Sequence, residues 1–297
     1  MKMKELDDLL LFCADRYKQI DCVNCPYTEE YSSTCNNECY NCLFKIHRVF
    51  NHDVHYSCER ILYRYVLKFQ LRYASEAARC FWHVLIDKKP NEPLNIYSLG
   101  CGPAPELYGL FAIARYLSFP TDRIEYKGFD IDRKWKVIND VSLNSFNGLK
   151  VAFEYTDIFD YINANQVHVN ILTLNYVLSD SMRYNKEGTN LLLDNIYGLI
   201  VNNHVDYVII NDIALYYLDE QRKSAYACMK DLEKKLTDNH INVAFEKRRY
   251  SNPKVAGVEF YGKMAHYNTN MFSVPQAIFA YQPFLICDSI VLIIKKL

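Results

Sequence analysis

The chain has 297 residues, half of them hydrophobic and 14% aromatic, so it can bury one large domain with a small appendage. Its formal net charge of −1 provides no overall field that would attract nucleic acid or an anionic membrane, although it leaves room for a local basic face. The opening sequence MKMKELDDLLLF is too acidic for a signal peptide, and the apolar runs are shorter than the ~18 residues of a membrane-spanning helix. We therefore expect a cytoplasmic protein with no membrane partner.

The first 90 residues are expected to form a helical, cysteine-rich, metal-binding region. Apolar residues recur with helical spacing in 1–20, and the absence of glycine and proline from 56 to 87 predicts one long helix. The sequence KKPNEP at 88–93 ends this helix and separates the region 1–90 from a second domain, 91–297.

Five cysteines lie in the polar segment 21–42, which has almost no aliphatic residues with which to form a core of its own. Two CxxC pairs among them have the spacing of a zinc site built from four thiolates. The expected ligands are Cys22, Cys25, Cys39 and Cys42, with Cys35 as an alternative ligand. An iron–sulfur cluster and reduced cysteines without metal are the alternatives. We expect either metal to be structural.

The long predicted helix carries basic residues at a spacing of four, which would form a stripe along one face. These residues are Arg60, Arg64, Lys68 and Arg72. On the helix 60–72 this stripe can contact the phosphates of RNA or DNA, which makes nucleic acid a candidate partner. The alternative is an ordinary solvated helix face. Nothing in the sequence indicates the oligomeric state.

Beyond residue 93, strand patterns alternate with helical patterns, which predicts an α/β domain with a mostly parallel sheet covered on both faces. The predicted strands are 95–99, 124–130, 151–156, 168–174, 207–211, 242–246 and 286–294. The predicted helices are 106–117, 133–144, 188–201 and 219–236. The stretch 250–283 breaks the alternation because it contains glycines, prolines and many aromatic residues, and we predict an insertion that forms a wall of the substrate site.

The ends of the first three predicted strands carry residues suited to a nucleoside ligand. Gly100 and Gly102 form a tight turn into a helix, where a ligand can approach the bare backbone. Asp130 ends the second strand, a position from which a carboxylate accepts hydrogen bonds from ribose hydroxyls. Asp157 follows the third strand, within reach of an exocyclic amine. Since parallel strands end at one edge of a sheet, we expect these groups to lie together.

The motifs SLGCGPAPELYGL, GFDID, YTD and LTLNYVLSD together resemble those of class I S-adenosylmethionine-dependent methyltransferases, over residues 94–297. The resemblance implies a Rossmann-like, seven-stranded, mostly parallel sheet whose last strand is antiparallel and lies beside the fifth. It also implies S-adenosylmethionine as the cofactor. Two features depart from the family pattern. Ala104-Pro105 replaces the third glycine, and NYVL lacks the Pro-Pro-aromatic motif of enzymes that methylate amino groups of DNA and RNA bases.

The resemblance further implies which residues contact the cofactor. Gly100, Gly102 and Glu106 would lie around its methionine part. Asp130 would hold the ribose and Asp157 the adenine amine. The remaining expected contacts are Ile131 or Trp135 against the adenine ring and Asn175 beside the reacting group. From the preceding helix, Tyr73 is expected to reach the carboxylate of the cofactor, with Tyr65, Arg72 and Glu76 as alternatives.

Because the sulfonium of this cofactor makes its methyl carbon electrophilic, the protein mainly has to align donor and acceptor. Asn175 and Tyr176, at the end of the fourth strand, are the expected catalytic residues. If a general base takes part, the candidates are Asp180, Asp212, Tyr176 and His266.

We expect a methyltransferase that acts on nucleic acid, with structured RNA favoured because a metal-binding region and a basic helix suit a large polyanion. The first alternative is methylation of a small molecule or a protein side chain. The second is a non-catalytic sensor or assembly factor that binds the cofactor without turnover.

Overall fold

A computed structural model describes residues 1–20, 39, 42–43, 58–89, 92–146, 148–164, 168–213, 224–250, 262–264 and 269–297. The helices are α1 (Lys4–Gln19), α2 (Glu59–Leu85), α3 (Pro105–Tyr116), α4 (Lys136–Ser145), α5 (Ile158–Ala164), α6 (Leu178–Tyr184), α7 (Lys186–Val201) and α8 (Ala225–Asp238). The strands are β1 (Leu94–Leu99), β2 (Ile124–Asp130), β3 (Lys150–Tyr155), β4 (Val169–Asn175), β5 (Val205–Asp212), β6 (Val243–Arg249), β7 (Lys263–Met264) and β8 (Ile290–Lys296). In the described part of the chain, no helix is both long and apolar enough to cross a bilayer.

One sheet contains these strands in the order β3-β2-β1-β4-β5-β8-β6-β7. The pairs among β1 to β5 are parallel, whereas β8 is antiparallel to both of its neighbours, β5 and β6. This confirms the expected antiparallel last strand beside the fifth. The expectation of seven strands is corrected to eight over the described ranges, because Lys263–Met264 pairs with the edge strand β6. A two-residue strand is too short to produce a periodic pattern in the sequence.

Helices cover both faces of the sheet. The first four pack on one face around residues such as Leu9, Leu107 and Ile138, and α5 to α8 pack on the other around Leu178 and Leu192. This layering follows from right-handed crossovers. Connections that run from β1 toward β3 lie on one face, and those that run back toward β6 lie on the other. The strand order reverses between β1 and β4, so the switch point of the sheet lies at the carboxyl ends of these two neighbouring strands.

The long helix expected before the sheet is α2, which crosses α3 at close range. A Cβ atom on Gly109 would lie 2.6 Å from both Ala74 O and Ala78 N, so a larger residue does not fit at this crossing. The Gln70 amide also donates to the carbonyl of Pro103 at 3.3 Å, in the turn after β1. These contacts fix α2 against the carboxyl ends of the strands.

The stretch 250–283 is described in part. Besides β7, its residues from 269 onward run along α2. Ser75 Oγ donates to Asn270 Oδ1 at 2.7 Å and accepts from Met271 N at 2.9 Å, and Arg79 donates to Thr269 O at 2.8 Å. The role of this stretch as a substrate wall stays a prediction.

Candidate functional site

A cavity of about 760 Å³ opens at the carboxyl ends of β1 to β4, at the switch point of the sheet. This volume is in the range of sites for small molecules and cofactors. Its walls come from the turn after β1, the residues that follow β2 and β3, the start of α6, and aromatic side chains of α2. Seven of the eight expected cofactor-binding residues line it, namely Tyr73, Gly100, Gly102, Asp130, Ile131, Asp157 and Asn175.

The turn after β1 needs glycine for two different reasons. Gly100 has φ +64°, and a Cβ atom there would lie 2.7 Å from a methyl group of Val177, so the turn touches the start of the β4–α6 connection. Gly102 has φ +50° but has free space around its Cβ position, since Trp135 is the nearest side chain at 3.7 Å. Both glycines therefore serve the left-handed backbone conformation, and Gly100 in addition leaves room for Val177.

Asp130 joins the turn to the end of β2. Its Oδ2 accepts from Gly102 N at 2.7 Å and its Oδ1 accepts from Asp132 N at 2.8 Å. Burial raises the pKa of Asp130 to about 6, although both backbone hydrogen bonds lower it. An ionised carboxylate has about four acceptor positions, so two remain for hydroxyl groups of a ligand.

The wall of the cavity formed by the residues that follow β2 and β3 combines a carboxylate with apolar side chains. Asp157 Oδ1 accepts from Phe159 N at 2.8 Å, so this carboxylate caps the first turn of α5 and also lines the cavity. Ile131 lines the cavity and is 59% exposed, which leaves an apolar surface for a planar ring. The indole of Trp135 also lines the cavity and meets Tyr65 of α2 edge-on, with ring centroids 5.5 Å apart.

Glu106 lies outside the cavity lining, beneath the glycine turn. Its side chain is fully buried and accepts hydrogen bonds from the hydroxyls of Ser98 and Tyr126. Burial raises the pKa of Glu106, and its hydrogen bonds with Ser98 and Tyr126 lower it. The observed role is to support the turn from below, and a contact of Glu106 with the cofactor stays a prediction.

A buried polar network lies under the end of β4. Asn211 Nδ2 donates to Asn175 Oδ1 at 2.6 Å and to Glu76 Oε2 at 3.1 Å. Because a carboxylate only accepts, this pairing fixes the orientation of the Asn211 amide and then of the Asn175 amide. Asn175 is thus held by its own neighbours on β5 and α2, and it lines the cavity.

Tyr176 lies at the floor of the cavity in an uncommon conformation. Its φ is +61°, in the left-handed region that favours glycine. Its ring lies against Tyr73 with centroids 4.1 Å apart, and its hydroxyl accepts from Arg72 at 2.6 Å. Burial raises the pKa of Tyr176 well above its ordinary value, so the phenol remains protonated and is poorly suited to act as a base.

The other candidate bases differ in placement. Asp180 lines the cavity. Asp212 is 1% exposed and accepts from Ser179 N at 3.2 Å and Ile213 N at 2.7 Å, so it caps α6, and burial raises its pKa to about 6. His266 lies outside the described residues. Asp180 is therefore the described carboxylate of this group that a ligand can reach.

The basic stripe on α2 is largely buried against the segment after residue 280. Arg64, Lys68 and Arg72 are 6%, 3% and 9% exposed. Their side chains donate to the backbone carbonyls of Tyr281, Gln282 and Asp288, each at 2.6 Å. The fourth member, Arg60, lies 4.4 Å from the ring centroid of Tyr17 in α1. This face of α2 is an internal contact, and a nucleic-acid partner stays a prediction.

The expected metal site falls mostly outside the described residues. Cys22, Cys25 and Cys35 are not among them, whereas Cys39 and Cys42 are described and buried. Within the described ranges no group of three or more His, Cys, Asp or Glu side chains is arranged to hold a metal ion. Zinc binding therefore stays a prediction.

Sequence reasoning missed part of the site. Val177, Ser181, Tyr184 and Asn185 also line the cavity, on or beside α6. The strand was predicted to end at residue 174, but no helix was predicted directly after it, because the seven residues of α6, which begins at Leu178, are too few to show a helical period. The abrupt end of β4 at a polar residue was the available signal.

No protein-family model and no curated protein matches the sequence. Among solved structures, a candidate RNA methyltransferase from Pyrococcus horikoshii has 13% identity and a TM-score of 0.42, covering 75% of this chain and 83% of its own. The plantazolicin methyltransferase BpumL in complex with SAH has 12% identity and a TM-score of 0.42, covering 99% and 98%. The CurJ carbon methyltransferase has 10% identity and a TM-score of 0.45, covering 75% and 53%. Similarity at this level identifies neither a family nor a substrate for this chain.

Proposed function

We propose that the protein is an S-adenosylmethionine-dependent methyltransferase of the class I, Rossmann-like type. The observation that carries the proposal is the meeting of a glycine turn, the buried carboxylate Asp130 and the ends of β3 and β4 in one cavity at the switch point. A nucleoside with an amino-acid tail fits this donor set. Asp130 offers free acceptor positions to the ribose, and Ile131 offers an apolar surface to the adenine.

When bound, S-adenosylmethionine would supply an electrophilic methyl group. Gly100 and Gly102 would let the amino-acid tail lie against the backbone, and Asp157 would accept from the adenine amine. Asn175 and Tyr176, which line the cavity, would lie at the reacting end of the cofactor and orient the acceptor beside it. Asp180 is the described group best placed to take a proton from the acceptor atom, if the acceptor must lose one.

The acceptor expected from the sequence is nucleic acid, an expectation based on the metal-binding region and on the basic helix. The burial of Arg64, Lys68 and Arg72 weakens the second of these two grounds. This observation supports the second candidate, a small molecule or a protein side chain that enters the cavity itself. We propose this second class as the acceptor.

The zinc site on Cys22, Cys25, Cys39 and Cys42 is kept as a proposal. Elemental analysis of the purified protein tests it. One zinc ion per chain is expected, whereas iron with broad visible absorption near ~400 nm would support the iron–sulfur alternative.

Transfer of a labelled methyl group from S-adenosylmethionine into separated fractions of RNA, DNA, protein and small molecules tests the function. We expect label in the small-molecule or protein fraction. Label in RNA alone would restore the nucleic-acid acceptor, and cofactor binding without any transfer would favour the non-catalytic alternative.

A further inference from the structure

Arg72 differs from the other basic residues of α2 because it reaches a residue of the cavity. One nitrogen of its guanidinium donates both to the hydroxyl of Tyr176 and to the carbonyl of Asp288, each at 2.6 Å. Its Nε donates to Glu76 Oε1 at 3.2 Å. The guanidinium itself is not part of the cavity lining.

Glu76 holds this guanidinium in place. The carboxylate is fully buried, and besides Arg72 it accepts from Asp288 N at 2.9 Å and Asn211 Nδ2 at 3.1 Å. A buried charge pair with its remaining acceptor positions satisfied has one well-defined geometry. The network thus joins α2, β5 and the residues before β8 into one support.

Tyr176 is the residue that most needs such a support. A left-handed conformation is unfavourable for a residue with a side chain, so it persists only where surrounding contacts impose it. At Tyr176 these contacts are the backbone bond from its N–H to Asn211 O at 2.7 Å, the ring of Tyr73, and the hydroxyl bond from Arg72. The far end of the side chain is held through its hydroxyl, which accepts from Arg72 at 2.6 Å and donates to Asp288 O at 3.3 Å.

We propose that Arg72 is a positioning residue, which sets the side chain of Tyr176 at the cavity floor and thereby supports cofactor binding. This inference rests on the proposed function for the identity of the ligand. Arg64 provides a matched comparison on the same helix. It also donates to a carbonyl at 2.6 Å, but its acceptor, Tyr281, does not line the cavity.

The experiment measures the affinity of the full chain for S-adenosylhomocysteine by calorimetry, with the melting temperature of each variant. Arg72→Lys keeps a positive charge beside Glu76 but lacks the planar guanidinium that binds several acceptors at once. We expect its Kd to rise about tenfold or more. Arg64→Lys, the matched control, should bind like the wild type.

Tyr176→Phe removes the hydroxyl while keeping Arg72. It tests the same contact if Arg72→Lys folds poorly. We expect a rise in Kd at least as large for Tyr176→Phe, which removes the Arg72 bond and the longer bond to Asp288 O. We expect no further rise in the double variant, because the Arg72 bond is already absent from Tyr176→Phe. Wild-type affinity in Arg72→Lys, an equal loss in Arg64→Lys, or additive losses in the double variant would overturn the proposal. Failure of the wild-type protein to bind would instead contradict the proposed function, and the positioning role with it.

Discussion

Asp130 combines two roles at the residue scale, because it closes the glycine turn and offers acceptors to a ligand. The motif GFDID shows the carboxylate at a strand end, so its position could be predicted from the local sequence. Glu106 could not be placed in this way. Whether a side chain at the start of a helix points into a cavity or beneath a turn depends on partners such as Tyr126, on another strand.

The affinity for the cofactor should depend on the protonation of Asp130. Burial raises its pKa to about 6, so the carboxylate is ionised at pH 7 and becomes protonated as the pH falls below 6. Ribose hydroxyls donate to the ionised form. We therefore expect the affinity for S-adenosylhomocysteine to fall between pH 7 and 5, approaching about tenfold per pH unit at the acidic end.

Calorimetry at a series of pH values measures this dependence. Asp130→Asn should bind more weakly at pH 7 and lose most of the dependence, since its amide does not titrate. An affinity of the wild-type protein that stays constant from pH 7 to 5 would exclude Asp130 as a ligand of the cofactor.

At the scale of elements, the contact between α2 and α3 depends on one glycine. Gly109→Ala would place a methyl group 2.6 Å from two backbone atoms of α2, and we expect it to lower the free energy of unfolding by about 1–3 kcal/mol. Gly198, within α7, has no atom within 4 Å of its Cβ position. Gly198→Ala should therefore raise stability by about 0.5–1 kcal/mol.

Urea unfolding of the two variants beside the wild type measures both effects. The two changes in the free energy of unfolding should have opposite signs. Since both variants make the same substitution within a helix, this difference measures the effect of the close contact between α2 and α3. A stable Gly109→Ala protein would show that α2 does not approach α3 as closely as described.

The burial of the basic stripe on α2 leads to a second prediction about elements. Arg64→Gln and Lys68→Gln each remove a buried hydrogen bond from a charged donor, and we expect each to cost about 1.5–3 kcal/mol of stability. Any RNA binding should keep its salt dependence in these variants. The control is Arg133→Gln, at an exposed position, which should leave stability unchanged.

Thermal unfolding and filter binding at several salt concentrations give the two readouts. Unchanged stability together with a weaker salt dependence would show that the stripe faces phosphates. The sequence could predict the stripe from its spacing of four, but not its burial. The carbonyls that accept from it lie more than 210 residues further along the chain.

The topology of the whole molecule was largely predictable, because strand patterns alternate with helical patterns after residue 93 and such alternation favours a mostly parallel sheet. The elements that could not be predicted are the short ones. The two-residue strand β7 has no periodicity, and the seven residues of α6 are too few to show a helical period.

The central claim is that the cavity at the switch point binds an S-adenosyl nucleoside with an amino-acid tail. Its most direct test is a calorimetric titration of the wild-type protein with S-adenosylhomocysteine and, in parallel, with NAD, which parallel sheets of this kind also bind. We predict saturable binding of one S-adenosylhomocysteine per chain and no binding of NAD at the same concentrations. Binding of NAD in its place, or binding of neither, would contradict the account.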